Sequence, residues 1–449
     1  MEIKQFEDKN LAHFSYAILS NCKREIILID PSRDTQVYLE YAKENEAQIT
    51  GVIETHAHAD FVSSHLELHE LTGATIYVSE MLKAAFPHQS FNEGQQIEIG
   101  KIRLTAINTP GHSPDGICVV LEHTDKKMAV FTGDTLFIGD CGRPDLREEN
   151  GNEQFSREVL ARQLYHSLQN KLKVLPDDVI VYPAHGAGTL CGKSLSDANS
   201  STIGKEKESN WSLQFMTEDD FVQKLLIDQP FVPLYFPFDV MLNINGAPKM
   251  HESIETIKIT AIKNETDEQS LNADLWIIDA RTENVFKEGH LKHSINIMNQ
   301  TKFETWLGSI IHPKEEFYLG SENETQLRKL MVRCAAIGYE SQIKEALIID
   351  YSSEHTDKLD IESFRKNTDA FTIIDVRNDS EVADNPIFSD SLIIPLPELR
   401  NRFNEIPTNK PLVVHCSSGF RSAAGSSLLQ AILNDVIKVY DMGEAVKSF

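Results

Sequence analysis

The sequence predicts an α/β protein, with an N-terminal αββα sandwich over residues 1–250 followed by two smaller α/β units at 251–350 and 358–449. Three observations carry this. Strand-like and helix-like stretches alternate as far as about Lys193, the pattern of two packed sheets with helices outside. Several of those strands end in His or Asp. Further on, Leu275-Trp276-Ile277-Ile278-Asp279-Ala280-Arg281 recurs as Phe371-Thr372-Ile373-Ile374-Asp375-Val376-Arg377. A repeat of about 95 residues points to two tandem α/β units.

In chain order, Phe14 to Leu19 and Glu25 to Asp30 read as a hairpin with Asn21 near the turn, and Thr35 to Glu44 has helical spacing. Gly51 to Glu54 reads as the end of a buried strand and runs into Thr55-His56-Ala57-His58-Ala59-Asp60-Phe61, before a helix expected from Val62 to Leu71. Two His and one Asp at alternate positions on a strand-to-helix turn are expected to project toward one mouth. The strand Arg103 to Asn108 leads to Thr109-Pro110-Gly111-His112-Ser113-Pro114. The strand Met128 to Phe131 leads to Thr132-Gly133-Asp134-Thr135, and Ile180-Val181-Tyr182 leads to Pro183-Ala184-His185-Gly186. Metal sites need such convergent, pre-aimed imidazoles and carboxylates. The Gly-rich loop Phe137 to Leu146, which carries Arg143, can fold over the site, and Cys191 follows His185 closely enough to lie near the mouth. Ser194 to Ser209 is polar and reads as an exposed loop. Asp228 to Pro248 is Pro-punctuated, and the first domain boundary is expected near 250.

The chain has 449 residues and a formal net charge of −25, which argues against nucleic acid or an anionic membrane as partner. Met1-Glu2-Ile3-Lys4-Gln5 lacks the regions of a signal peptide, and no apolar run has the length of a membrane span. Cysteines 22, 118, 141, 191, 334 and 416 follow no disulfide framework. A cytoplasmic protein with free thiols is expected.

With its four strand-end motifs, the N-terminal half resembles metallo-β-lactamase-fold hydrolases, and in detail their persulfide dioxygenase branch. The resemblance implies one metal ion per chain, held by His56, His112 and Asp134. Two His and one carboxylate on one face suit Fe(II) and oxygen activation, with zinc as the alternative ion. His58, Asp60, His185 and Arg143 would then support the ligands or face the substrate. Binuclear relatives carry a His where this chain has Phe61, so a second metal site is expected to stay empty.

The second repeat continues through Leu412-Val413-Val414-His415-Cys416-Ser417-Ser418-Gly419-Phe420-Arg421-Ser422. A buried strand, a Cys loop and a helix follow in order. Backbone N–H groups, the helix N-terminus and Arg421 favour negative charge on the Cys416 sulfur. This loop resembles that of rhodaneses, which implies that Cys416 takes up sulfane sulfur as a persulfide. The first repeat instead reads Glu316-Phe317-Tyr318-Leu319-Gly320-Ser321-Glu322-Asn323-Glu324, without a Cys. Cys334 lies beyond it, on an expected helix, and is read as a packing residue; the unit is read as a non-catalytic spacer or docking unit. Together the resemblances imply oxidation of a low-molecular-weight persulfide by O2 to sulfite and thiol. They also imply rhodanese transfer of sulfane sulfur to sulfite giving thiosulfate, or the reverse. The role implied is sulfide detoxification, by a homo-oligomer. Two rivals stand beside this: a glyoxalase-II-type zinc thioester hydrolase with accessory rhodanese domains, and a non-enzymatic sulfur carrier or sensor.

Overall fold

A computed structural model describes residues 1–124, 126–147, 156–193, 195–433 and 436–449. The chain divides into two compact units: 1–250 with 335–338, and 251–334 with 339–449. Among the described residues no helix is long and apolar enough to cross a membrane. All six cysteines are free, and only Cys22 is exposed.

The first unit holds two six-stranded sheets. The first runs, in spatial and chain order, Glu2–Asp8, His13–Ser20, Glu25–Ile29, Gln48–Ile53, Thr75–Val78 and Gln89–Ser90. The second is built from Gln96–Ile99, Ile102–Asn108, Ile117–His123, Lys126–Gly133, Ile180–Pro183 and Ser201–Thr202, again in order. Successive side chains of a strand point to opposite faces. Tyr16, Ile18, Ile27 and Ile29 therefore meet Leu104, Val119, Leu121 and Phe131 in the core between the sheets. Their neighbours Ala17, Leu19, Ile26 and Leu28 pack outward with Tyr38 of helix Gln36–Glu44 and Leu68 of helix His65–Thr72. Cys118, Val120, Val130 and Val181 pack outward on the other side with Leu164 of Arg157–Ser167 and Phe221 of Glu218–Leu226. The layers are helix, sheet, sheet, helix, with apolar faces on both sides of each sheet. Hairpin pairing places Tyr16 opposite Ile29, and parallel pairing places Ile29 opposite Ile53. The second pairing sets Asp30 and Glu54 side by side at adjoining strand ends.

Two local expectations change. The helix after the first motif starts at His65, three residues past the expected Val62. The polar stretch after Lys193 is not all loop: Thr202 accepts from the Lys205 N–H and starts helix Ile203–Ser209, with Ile203 fully buried. Ser194 lies outside the described residues.

The second unit holds two parallel sheets. One has five strands, in the order Ile259–Ile262, Ile343–Ile349, Phe317–Ser321, Trp276–Asp279 and Ser294–Asn296. The other has four, in the order Leu392–Ile393, Thr372–Asp375, Leu412–His415 and Val439–Asp441. The repeated Asp-x-Arg is a fold device in both. Arg281 Nη2 reaches Asp279 at 2.6 Å and the Gly289 carbonyl at 2.9 Å. Arg377 Nη2 reaches Asp375 at 2.5 Å, and its Nη1 reaches the Asn385 carbonyl at 3.0 Å. In each copy the buried guanidinium ties the strand end to the chain leaving the following helix.

Candidate metal centre and cysteine loop

His56, His112 and Asp134 each offer one ligand atom, and the three atoms lie within 4.8 Å of one another. His112 Nε2 is 3.4 Å and His56 Nε2 3.9 Å from Asp134 Oδ2. All three side chains are buried. Each imidazole is tied back through its other nitrogen. The Thr55 hydroxyl donates to Asp30 Oδ2 at 2.8 Å, so its oxygen is left to accept from His56 Nδ1 at 3.0 Å. His112 Nδ1 donates to the Arg143 carbonyl at 2.8 Å. A carbonyl can only accept, so Nδ1 carries the proton and Nε2 keeps its lone pair toward Asp134. Burial, with neighbouring imidazoles, holds His56 well below the usual histidine range, and burial lowers His112 as well. Neutral imidazoles and a carboxylate form a ready donor set. Both Asp134 oxygens are buried without a hydrogen bond of ordinary geometry among the described residues. These residues fit a metal ion with open positions.

The alternate spacing of the first motif does not bring all its side chains to one point. Beyond Ile53 the chain leaves the strand, and the two-residue alternation ends with it. His58 Nε2 lies 3.1 Å from Asp30 and 3.2 Å from Glu54. Burial works against its charged form, but those two carboxylates outweigh burial and raise its pKa well above the usual range. Glu54 in turn is drawn down to about 2 by His58 and His65, against burial. His58 is thus the cation of a buried network under the site. Asp60 faces elsewhere again, 3.3 Å from His185 Nε2. Phe61 is buried in the core against the rings of His13 and His58, with centroids at 3.9 and 4.3 Å.

Arg143 does not point its guanidinium at the site. The side chain is buried and bound to Asp145 at 2.8 and 2.6 Å. A further bond reaches the Leu190 carbonyl, and the Arg143 N–H donates to the Cys191 carbonyl. Arg143 therefore clamps two loops together and orients His112 through its backbone oxygen. The chain passes so closely here that a Cβ at Gly142 would fall 2.0 Å from the Asp134 carbonyl oxygen. Cys191 is buried beside the Asp60 and Asp134 carboxylates, and burial pushes its thiol well up.

Sequence reasoning missed Thr55, Asp30, Glu54 and Asp115. Asp115 accepts from the Ala57 N–H at 2.8 Å and pairs with Arg147 at 3.1 Å, bracing the motif loop. The signal for Asp30 was an acid at the end of an apolar strand. Outer partners of metal ligands typically contribute about 10–100-fold to metal affinity. Thr55→Val should therefore weaken metal binding by about that factor, read by competition with a chelator. Unchanged affinity would remove Thr55 from this role.

In the second unit, Cys416 is buried at the end of strand Leu412–His415, and the Gly419 N–H donates to its sulfur at 3.2 Å. Gly419 has φ +105°, and a Cβ there would meet the backbone of Gly443 and Glu444 at 3.2 Å. Only glycine suits both constraints. Arg421 grips Glu381 at 2.5 and 2.7 Å and reaches Ser417 at 3.3 Å, bracing the loop at its rim. Trp306 of the first repeat lies under that guanidinium, 5.8 Å from ring centre to charge. At the corresponding place in the first repeat, Ser321 bonds Glu322, and Cys334 is fully buried within helix Glu324–Ala336.

Comparison with known proteins agrees with this layout. Residues 11–185 match the metallo-beta-lactamase superfamily. Residues 360–445 match the rhodanese-like domain. The chain is 30% identical over 230 residues to persulfide dioxygenase ETHE1, mitochondrial, of Bos taurus, spanning 51% of this chain and 82% of that protein. A probable polyketide biosynthesis zinc-dependent hydrolase of Bacillus subtilis is 28% identical over 190 residues, 41% of this chain and 78% of its own. Among solved structures, a metallo-beta-lactamase from Staphylococcus aureus superposes with a TM-score of 0.69 at 32% identity, covering 77% of this chain and 99% of its own. The chain belongs to the persulfide dioxygenase family of the metallo-β-lactamase superfamily, and carries a rhodanese-like domain at its C-terminal side.

Proposed function

We propose that the chain is an iron-dependent persulfide dioxygenase joined to a sulfurtransferase, acting in sulfide detoxification. The observation that carries this is the His56, His112 and Asp134 donor set, two neutral imidazoles and one carboxylate converging on one face. Bound there, Fe(II) would supply a redox-active centre through which O2 can react with the persulfide sulfur, which provides the electrons. Thr55 and the Arg143 carbonyl keep both Nε2 lone pairs aimed. Burial of the donors keeps bulk water from them, and the charged network of Asp30, Glu54 and His58 holds the motif loop from below.

The overall reaction is RSSH + O2 + H2O → RSH + sulfite + 2 H+. In the second step the Cys416 thiolate attacks the terminal sulfur of another persulfide, the S–S bond breaks, and RS– leaves as the thiol after taking the persulfide proton. Sulfite then attacks the outer sulfur held on Cys416, releasing thiosulfate and restoring the thiolate. We read the 251–350 unit as a rhodanese-like copy that has lost its loop cysteine and walls the Cys416 loop through Trp306.

The test is turnover of glutathione persulfide and coenzyme A persulfide in an oxygen electrode, with sulfite and thiosulfate trapped and quantified. One O2 per persulfide oxidised, with sulfite and then thiosulfate appearing, is the expected result. Hydrolysis of an acyl-glutathione thioester without oxygen uptake would put a zinc thioester hydrolase in its place.

A further inference from the structure

The first repeat has no loop cysteine, but a cavity of about 380 Å³ stands where that loop would be. This is within the usual size of a ligand site. The strand order explains its place. Trp276–Asp279 lies between Ser294–Asn296 and Phe317–Ser321, and the chain leaves it for the first neighbour before crossing to the second. At such a switch point the connections part and open a crevice beyond the carboxyl ends of the strands. The cavity is lined from all three ends: by Thr282, by Asn299 and Gln300, and by Glu322, Asn323 and Gln326.

Its chemistry differs from that of the Cys416 loop. Among the described residues the lining has amides, a hydroxyl and one carboxylate, and no cation. Arg333, which donates to Asn299 Oδ1 at 2.7 Å, is paired with Glu304 at 2.6 Å. Asn299 in turn donates to Gln326 Oε1 at 3.3 Å, and Asn323 Oδ1 accepts the Gln326 N–H at 3.0 Å. These bonds hold the amides in place. They leave the Gln326 and Asn323 side-chain nitrogens and the Thr282 hydroxyl without a partner among the described residues. Glu322 accepts from Ser321 and has no ion pair among them. Free amide donors match carbonyl and carboxylate oxygens, and an unpaired carboxylate matches an ammonium.

The cavity adjoins the Cys416 loop. Glu283, next to Thr282, comes within 3.3 Å of where a Cβ on Gly419 would stand, and the Gly419 N–H holds the Cys416 sulfur. Gln300 leads into helix Phe303–Ile310, whose Trp306 lies by Arg421.

We propose that this cavity binds the organic part of the persulfide that Cys416 attacks, and that it selects amino-acid or small-peptide thiols with a free ammonium. Glu322 takes the ammonium, and Gln326, Asn323 and Thr282 take the carbonyl or carboxylate oxygens. The cavity makes and breaks no bond; the outer sulfur goes to Cys416 and the thiol leaves from the cavity. The proposal rests on the sulfurtransferase reading of Cys416.

The test follows thiosulfate formation from added sulfite by the full chain, without oxygen and above the rate of Cys416→Ser. The donors are cysteine persulfide and N-acetylcysteine persulfide, which lacks the ammonium. The wild-type KM should be at least about 10-fold lower for cysteine persulfide, the usual worth of a hydrogen bond to a charged group. Glu322→Gln should raise that KM and bring the two values together. Glu322 is exposed, so the substitution should leave the fold intact. Gln326→Ala should raise the KM for both donors. Sulfur transfer from thiosulfate to cyanide by the wild-type chain, which involves no organic carrier, is the control. Its absence would overturn the sulfurtransferase reading and the proposal with it. With the control intact, equal wild-type KM values for the two persulfides, or an equal rise for both in Glu322→Gln, would overturn the role of the cavity alone.

Discussion

Replacing His56, His112 or Asp134 by alanine is expected to strip nearly all bound iron and abolish persulfide-dependent oxygen uptake. Each residue supplies one of three donor atoms within 4.8 Å, and two remaining donors cannot hold a divalent ion against solvent and chelators. The loss in metal affinity should exceed the roughly 100-fold upper range of outer partners. His58→Ala gives the contrasting result. Its ring lies between Asp30 and Glu54 and away from Asp134, so the variant should retain iron while losing stability. Removing a buried cation leaves two buried carboxylates without it, a change that costs about 3–5 kcal/mol in comparable pairs. Metal analysis and melting temperature on the same samples separate the two effects. A folded His58→Ala chain as metal-free as His56→Ala would refute this division of labour.

Cys416→Ser should eliminate sulfane transfer while leaving oxygen uptake largely intact, so that sulfite accumulates in place of thiosulfate. The hydroxyl fits the space of the thiol and can accept the Gly419 N–H, so the loop should keep its shape. What is lost is the sulfur nucleophile. Cys334 cannot take over, because it is fully buried within its helix and burial pushes its thiol well up. Persulfide labelling during turnover should mark Cys416 and leave Cys334 unmarked. Undiminished thiosulfate from the serine variant would move transfer to another thiol.

Much of the first unit was legible because its candidate donors sit at strand ends. Alternating apolar stretches fix the strands, and the strands deliver His56, His112, Asp134 and His185 to one rim. The expected hairpin appears as His13–Ser20 paired with Glu25–Ile29. The partners that orient those side chains were not legible, since they depend on pairing between distant segments. Asp30 reaches Thr55 only because Ile29 pairs with Ile53. Arg143 was expected to support the ligands or face the substrate from a glycine-rich loop, yet its guanidinium is bound by Asp145 two residues on and it reaches His112 through its carbonyl. The opening strand Glu2–Asp8 escaped notice because it is a half-exposed edge strand with little buried apolar surface. Helix Ile203–Ser209 escaped because its polar composition resembles a loop, while one buried Ile and a Thr cap suffice to fix it.

The most direct test of the central claim is metal dependence in the stripped full-length chain. Apo protein is reloaded anaerobically with Fe(II) or with Zn(II), bound metal is quantified, and oxygen uptake is started with a glutathione persulfide. The account predicts uptake that rises in proportion to iron up to one equivalent per chain, and none with zinc alone. Uptake that is independent of iron, or thioester hydrolysis restored by zinc with no oxygen consumed, would contradict it.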